Sequence, residues 1–139
     1  MANQSAVVWD ETFYAAEDLS SKQFYIAMST GISGTNKLAG ICTSSTGTGV
    51  LAAIGILQNT SSSTHAVTVR MLGRSKCVAS SSAAIAFGAY IAANALGRAF
   101  AVTTSGDRVL GIARSASTGA SGQLIEVDLL GGFNYVIGG

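Results

Sequence analysis

The chain has 139 residues, a net charge of +1 and 11% charged residues, against roughly 25% in ordinary soluble domains. Eight basic residues against seven acidic ones leave no basic footprint for nucleic acid, and no apolar run approaches the about 20 residues of a membrane-spanning helix. This is the length of one domain, and its sparse charge suits a protein that buries surface against neighbours.

Residues 1–18 read as an N-terminal arm. Ala6-Val7-Val8-Trp9 is apolar, Asp10-Glu11 is acidic, and Thr12 to Asp18 suits one or two helical turns. Four of the seven acidic residues and the only Trp lie here, and Trp9, Phe13 and Tyr14 are candidate interface anchors. Read as an arm, residues 1–17 should be removable while the remainder of the chain stays folded. No signal peptide is expected, because no apolar stretch follows a basic start.

Residues 19–130 read as a β domain. Phe24 to Met28 is a strand by β-propensity, Gly31 to Asn36 a turn, and Lys37 to Cys42 a second strand. Thr43 to Gly49 is a loop. Val50 to Leu57 suits a buried strand with a bend or bulge at Gly55. Ala66 to Leu72 alternates, with Val67, Val69 and Met71 on one face, and the strand resumes after a bend at Gly73. Ala83 to Ala86 suits a short helical turn. Ala89 to Ala93 and Arg98 to Thr103 are strands joined by a loop at Asn94 to Gly97. Leu124 to Leu130 alternates again, with Ile125, Val127 and Leu129 inward. Residues 131–139 form a tail in which a short strand, including Phe133 and Tyr135, lies between glycine pairs. Such a strand suits addition to a sheet edge, on this chain or another.

The stretch Gly55 to Gly73 has a counterpart in Gly111 to Gly131. Each begins Gly-Ile, passes through a polar turn, and ends in an alternating strand and a glycine. Arg70 and Asp128 hold equivalent positions in the two copies. If these strands pair antiparallel, the two side chains are expected near each other. Short strands with Gly/Ser/Thr turns make the fold mainly β: a single compact β-barrel or β-sandwich of short antiparallel strands.

Chemistry is sparse. His65 stands alone in a Ser/Thr loop, with no second His and no Cys pair at zinc spacing. Cys42 and Cys77 suit either a disulfide or, as expected of a chain made in cytosol, two free buried thiols. There is no phosphate-binding glycine loop. No enzymatic activity, catalytic residue, metal or cofactor is expected. Arg70, Arg74 and Lys76 form the one basic cluster, read as a solvated strand edge or as a socket for the acidic arm of a neighbouring subunit or for an acidic patch on a larger partner.

Several of these segments carry a resemblance. Gly55-Ile56-Leu57-Gln58-Asn59, Ala66 to Arg70 and Gly73 to Ala79 resemble the small capsid decoration proteins of tailed phages. So do Gly106 to Ala113, Gly122 to Val127, and the earlier Asp18 to Tyr25. The likeness spans residues 18–130. It departs at Phe87-Gly88-Ala89-Tyr90, where the family has a more polar Gly-Asp turn, and at the added arm and tail. The resemblance implies a structural (cement) protein of the virion, made in the host cytoplasm and bound to the capsid exterior. Its implied partners are the major capsid protein and itself, as a homotrimer, with neither nucleic acid nor membrane. A spike or receptor-binding module is the alternative.

Overall fold

The structure, a computed structural model, describes residues 7–45, 52–103, 106–130 and the backbone of 135–136. The described residues form the strands β1 (Trp9–Ala15), β2 (Ile26–Ser33), β3 (Asn36–Ile41), β4 (Ala53–Leu57), β5 (Ala66–Val78) and β6 (Tyr90–Ala93). These are followed by β7 (Ala99–Ala101), β8 (Arg108–Val109), β9 (Gly111–Ala113), β10 (Leu124–Leu130) and β11 (Tyr135–Val136). The expected mainly β class is therefore found. Nine strands join in one sheet in the order β1-β3-β2-β4-β5-β10-β9-β6-β7.

That sheet folds back on itself twice. β1 pairs with β3 and also, from Trp9 to Tyr14, with β5, so β1-β3-β2-β4-β5 closes into a first ring. Its pairings are antiparallel except β1 with β3, which run parallel. Beyond Gly73 the same long strand turns to pair with β10. β10 leads through β9 and β6 to β7, and a bridge from Ala99 to Ala79 returns to the end of β5. This is a second ring. Each ring has its own core. Phe13, Leu19, Leu57, Val67 and Val69 fill the first. Ile56, Ile85, Ile91, Leu110, Ile125 and Val127 belong to the second.

β5, with 13 residues, is the shared element. Its odd-numbered residues Val67, Val69, Ser75 and Cys77 are buried and its even-numbered residues from Ala66 to Lys76 are exposed or partly exposed, as strand alternation requires; at the end of the strand Val78 is buried as well. Gly73, at φ +100°, supplies the bend between its halves, in a region that side chains other than glycine rarely adopt. Val7 and Val8 pass against it there; a Cβ on Gly73 would lie 2.7 Å from the Val7 carbonyl oxygen.

The internal repeat is a repeat of structure. β4 pairs with β5 through Ile56–Arg70 and Leu57–Val69, and β9 pairs with β10 through Ile112–Asp128 and Ala113–Val127. A Cβ on Gly55 would collide with the Arg70 carbonyl, and one on Gly111 with the Asp128 carbonyl. The glycines recur because the partner backbone leaves no room for a side chain. The bulge expected at Gly55 is present too: Ala27 faces Gly55 while Met28 faces Ala53, so Ile54 is the extra residue.

Three local expectations change. The helical turns expected over Thr12 to Asp18 are replaced up to Ala15 by strand, because Phe13 and Ala15 alternate with outward residues against two partner strands. The helical turn expected over Ala83 to Ala86 is instead extended chain, held by a bridge between Ile85 and Ser117. Gly31 to Asn36 is mostly strand, with the turn confined to Gly34-Thr35.

Candidate docking face

The face opposite the two cores runs continuously across both rings, and its rows can be read from the register. Tyr90 lies opposite Ile112, Ile112 opposite Asp128, and Asp128 opposite Arg74. The next row along β5 is apolar: Leu130 opposite Leu72, and Leu72 opposite Trp9. Beyond it, Asp10 faces Arg70. On the other flank Glu126 faces Lys76. An apolar strip is thus bordered on both sides by charged pairs.

The charges that flank the apolar row directly, Asp10 with Arg70 and Asp128 with Arg74, are matched within the chain. Arg70 makes a two-pronged contact with Asp10, Nε donating to Oδ1 at 2.8 Å and Nη2 to Oδ2 at 3.1 Å. Its Nη1 donates to the carbonyl of Arg74 at 3.0 Å, tying the strand across its bend. Arg74 grips Asp128 in the same two-pronged way, at 2.8 and 3.3 Å, and Arg114 Nε reaches the Asp128 Oδ2 at 2.6 Å. The hydrogen bond from Arg74 holds the Asp128 carboxyl below the ordinary carboxylate range, with Arg114 adding to it against slight burial. Asp10 raises the Arg70 guanidinium in turn, and Asp128 that of Arg74. Lys37 meets Glu11 at 3.1 Å and lies over the Phe13 ring.

The candidate interface residues divide accordingly. Trp9 is 44% exposed on the apolar strip, with Val7 and Val8 exposed beside it. Tyr14 is half-buried. Arg70 and Arg74 lie on this face, and Lys76 is exposed next to them. Phe13 is instead only 4% exposed, buried in the first core by its inward place on β1. Phe133 lies outside the described residues. Tyr135 belongs to β11, which pairs with β8 of the same chain in a separate two-stranded ladder rather than at an edge of the nine-stranded sheet.

The basic socket, expected to take a neighbour's acidic arm or a partner's acidic patch, is instead occupied on the Arg70 side by this chain's own Asp10, carried there by β1. Arg70 and Asp128, expected near each other, each have another partner: the register of β5 with β10 sets Arg74, four residues on, opposite Asp128. Sequence reading missed Phe87 and Tyr90, which are 67% and 43% exposed and lie in and after the turn that docks on Ala113 through Gly88. The signal was present as two aromatics in a segment otherwise made of small residues.

The remaining polar candidates have local roles. The His65 Nδ1 lies 2.9 Å from Ser62 Oγ and 3.1 Å from the Ser63 carbonyl, within an exposed turn. Cys42 and Cys77 are buried and form no disulfide with each other; burial pushes the Cys42 thiol up and the Cys77 thiol up to about 12. Among the described residues no group of His, Cys, Asp and Glu is placed to hold a metal ion. No helix among them is long and apolar enough to cross a membrane.

Comparison with known proteins places the fold. No family profile matches the chain, and no curated protein sequence does. Among solved structures it is similar to the head fiber gp8.5 N base of bacteriophage phi29, with a TM-score of 0.67 and 13% identity. That match covers 93% of this chain and 100% of the other. At this identity the shared property is the fold: the all-β architecture described above is also that of a base piece of a phage head fiber.

Proposed function

We propose that this protein is a non-enzymatic structural component of a phage virion. In this reading it is made in the host cytoplasm and binds the outside of the capsid, where it bridges neighbouring major capsid subunits and strengthens the shell. The observation that carries the reading is the full-length fold match to a head fiber base. The docking face supports it. A strip of Trp9, Leu72 and Leu130 bordered by already matched ion pairs can be covered by another protein without stranding a charge, which is the costly event in interface burial. Sparse charge elsewhere lets copies crowd on a shell without strong repulsion. Modest contacts repeated over many copies, and within a homotrimer, add up to a stable cement. Capsid protein and self are the partners; nucleic acid and membrane are not.

Co-sedimentation with capsids of the same phage that lack this protein tests the reading. The purified protein should pellet with them to a fixed ratio, and Trp9→Ala with Leu72→Ser should weaken that binding at least tenfold while preserving the melting curve. Wild-type protein that stays in the supernatant at every capsid concentration overturns it. That the structural neighbour is a fiber base favours a second reading, a surface spike or receptor-binding module. Binding of the capsid-free protein to host cells would select that one.

A further inference from the structure

A hollow of about 440 Å³ opens where the chain leaving β3 meets the β6–β7 hairpin, at the seam between the two rings. It is a shallow depression, open to solvent. Thr43, Ser45, Ser82, Asn94 and Phe100 line it, and among the described residues no charged side chain does.

The polar groups are held in place. Asn94 Oδ1 accepts from the backbone N–H groups of Leu96 at 2.9 Å and Arg98 at 3.0 Å, and the Asn94 backbone N–H donates to the Arg98 carbonyl at 2.8 Å. With one end of the amide fixed twice, its Nδ2 donors are oriented by the turn. Ser45 Oγ donates at 2.7 Å to the buried carboxylate of Asp107, which leaves the hydroxyl's lone pairs as acceptors. The Ser45 carbonyl is itself fixed by the Arg108 N–H at 2.7 Å. Ser82 Oγ lies 2.8 Å from Ser80 Oγ, and Thr43 is exposed at the rim. Phe100, half-buried, adds an aromatic surface among these groups.

We infer that this hollow is a binding site for a neutral carbohydrate. A sugar ring presents hydroxyls that each donate and accept, and C–H faces that pack on an aromatic ring; fixed amide donors, hydroxyl acceptors and one phenyl group match both properties. A phosphate or other anion would find no cation among the described lining residues. The inference stands apart from the capsid-binding reading, because none of these residues belongs to the docking face.

The test is an NMR titration of the whole, isotope-labelled chain with glucose, galactose and N-acetylglucosamine, each taken to tens of millimolar. Saturable shifts centred on Thr43, Ser82, Asn94 and Phe100 are expected with at least one sugar. Soluble starch alongside glucose separates a polysaccharide from a free sugar as the source, since a polymer also moves amides beyond the rim. Asn94→Asp keeps the two accepted hydrogen bonds but removes the Nδ2 donors, and should weaken binding about tenfold, the effect of one lost hydrogen bond in a fixed site. Phe100→Leu should weaken it with the fold intact, and serves where the Asn94 variant does not fold. No saturable shift with any of the sugars, or shifts centred elsewhere and indifferent to both variants, overturns the inference.

Discussion

In the first ring Gly55 passes against the Arg70 carbonyl; in the second Gly111 passes against that of Asp128, in the same register. The hairpins match, but their closures do not. The first ring is sealed by a whole strand, β1, with six register pairs to β5 and ion pairs from Asp10 and Glu11. The second is closed by a single bridge between Ala79 and Ala99. One hairpin design can therefore be finished in two ways, and the N-terminal segment carries far more of the first ring than an arm would.

Removing that segment is the largest perturbation of the comparison. Deleting residues 1–17 should open the first ring and expose its core, rather than leave a folded domain as the arm reading expects. Hydrogen exchange should show protection lost across β2, β3 and β4 while β9 and β10 keep theirs. Phe13→Ala is the milder form and should cost about 4 kcal/mol in chemical denaturation, because it empties a fully packed position. Unchanged protection in the deleted chain would show that β1 is dispensable and that the contrast between the closures is false.

Substituting the two glycines tests the likeness instead of the difference. Gly55→Ala and Gly111→Ala should each cost about 3 kcal/mol, because the added methyl meets backbone carbonyl on one side and a valine methyl on the other. That valine is Val69 in the first ring, 2.9 Å away, and Val127 in the second, 2.7 Å away. Urea denaturation of both variants measures it. Similar losses support a common constraint; a loss in only one would mean that the other strand can shift aside, and that the repeat is one of pattern alone.

These contrasts also separate what the residues announce from what only the fold reveals. Both hairpins were legible, because a glycine, an alternating strand and a polar turn lie within about 20 residues of one another and need only local reasoning. β1 was not. Its partners β3 and β5 are distant in sequence, and the run from Thr12 to Asp18, with its alanines and acids, reads equally well as a helix start. Trp9 and Arg70 were singled out because a lone Trp and a basic cluster stand out in a chain so poor in charge, and the structure places both on the outward face. The partner of Arg70 was misjudged because equivalence in a repeat says nothing about the register between the copies. The hollow had no sequence signal at all: its lining is gathered from residues between 43 and 100, and Ser, Thr and Asn are common throughout.

The smallest effect separates the two ion pairs that sit at the equivalent positions. Arg70, raised further by its hydrogen bond with Asp10, stays charged at every accessible pH. Asp128 is the group of opposite sign, and Arg74 and then Arg114 hold its folded pKa below the unfolded value of about 3.9. Its contribution is therefore complete above about pH 4 and is lost as pH falls through the lowered folded value. Because the carboxylate is only partly covered, that contribution is at most about 1 kcal/mol. Asp18, lowered by its hydrogen bond with Ser20, adds its own acid slope, so the wild type alone cannot isolate Asp128. Urea melts of the wild type and Asp128→Asn across an acid series do so by difference. The variant should be less stable near neutrality, and the gap should narrow as pH falls below about 4 and close once it passes the lowered folded value, where the wild-type carboxylate is protonated too. A gap that stays constant with pH would mean that Asp128 acts through the shape of its contacts rather than its charge. The charge reversal between the two hairpins would then have no energetic consequence.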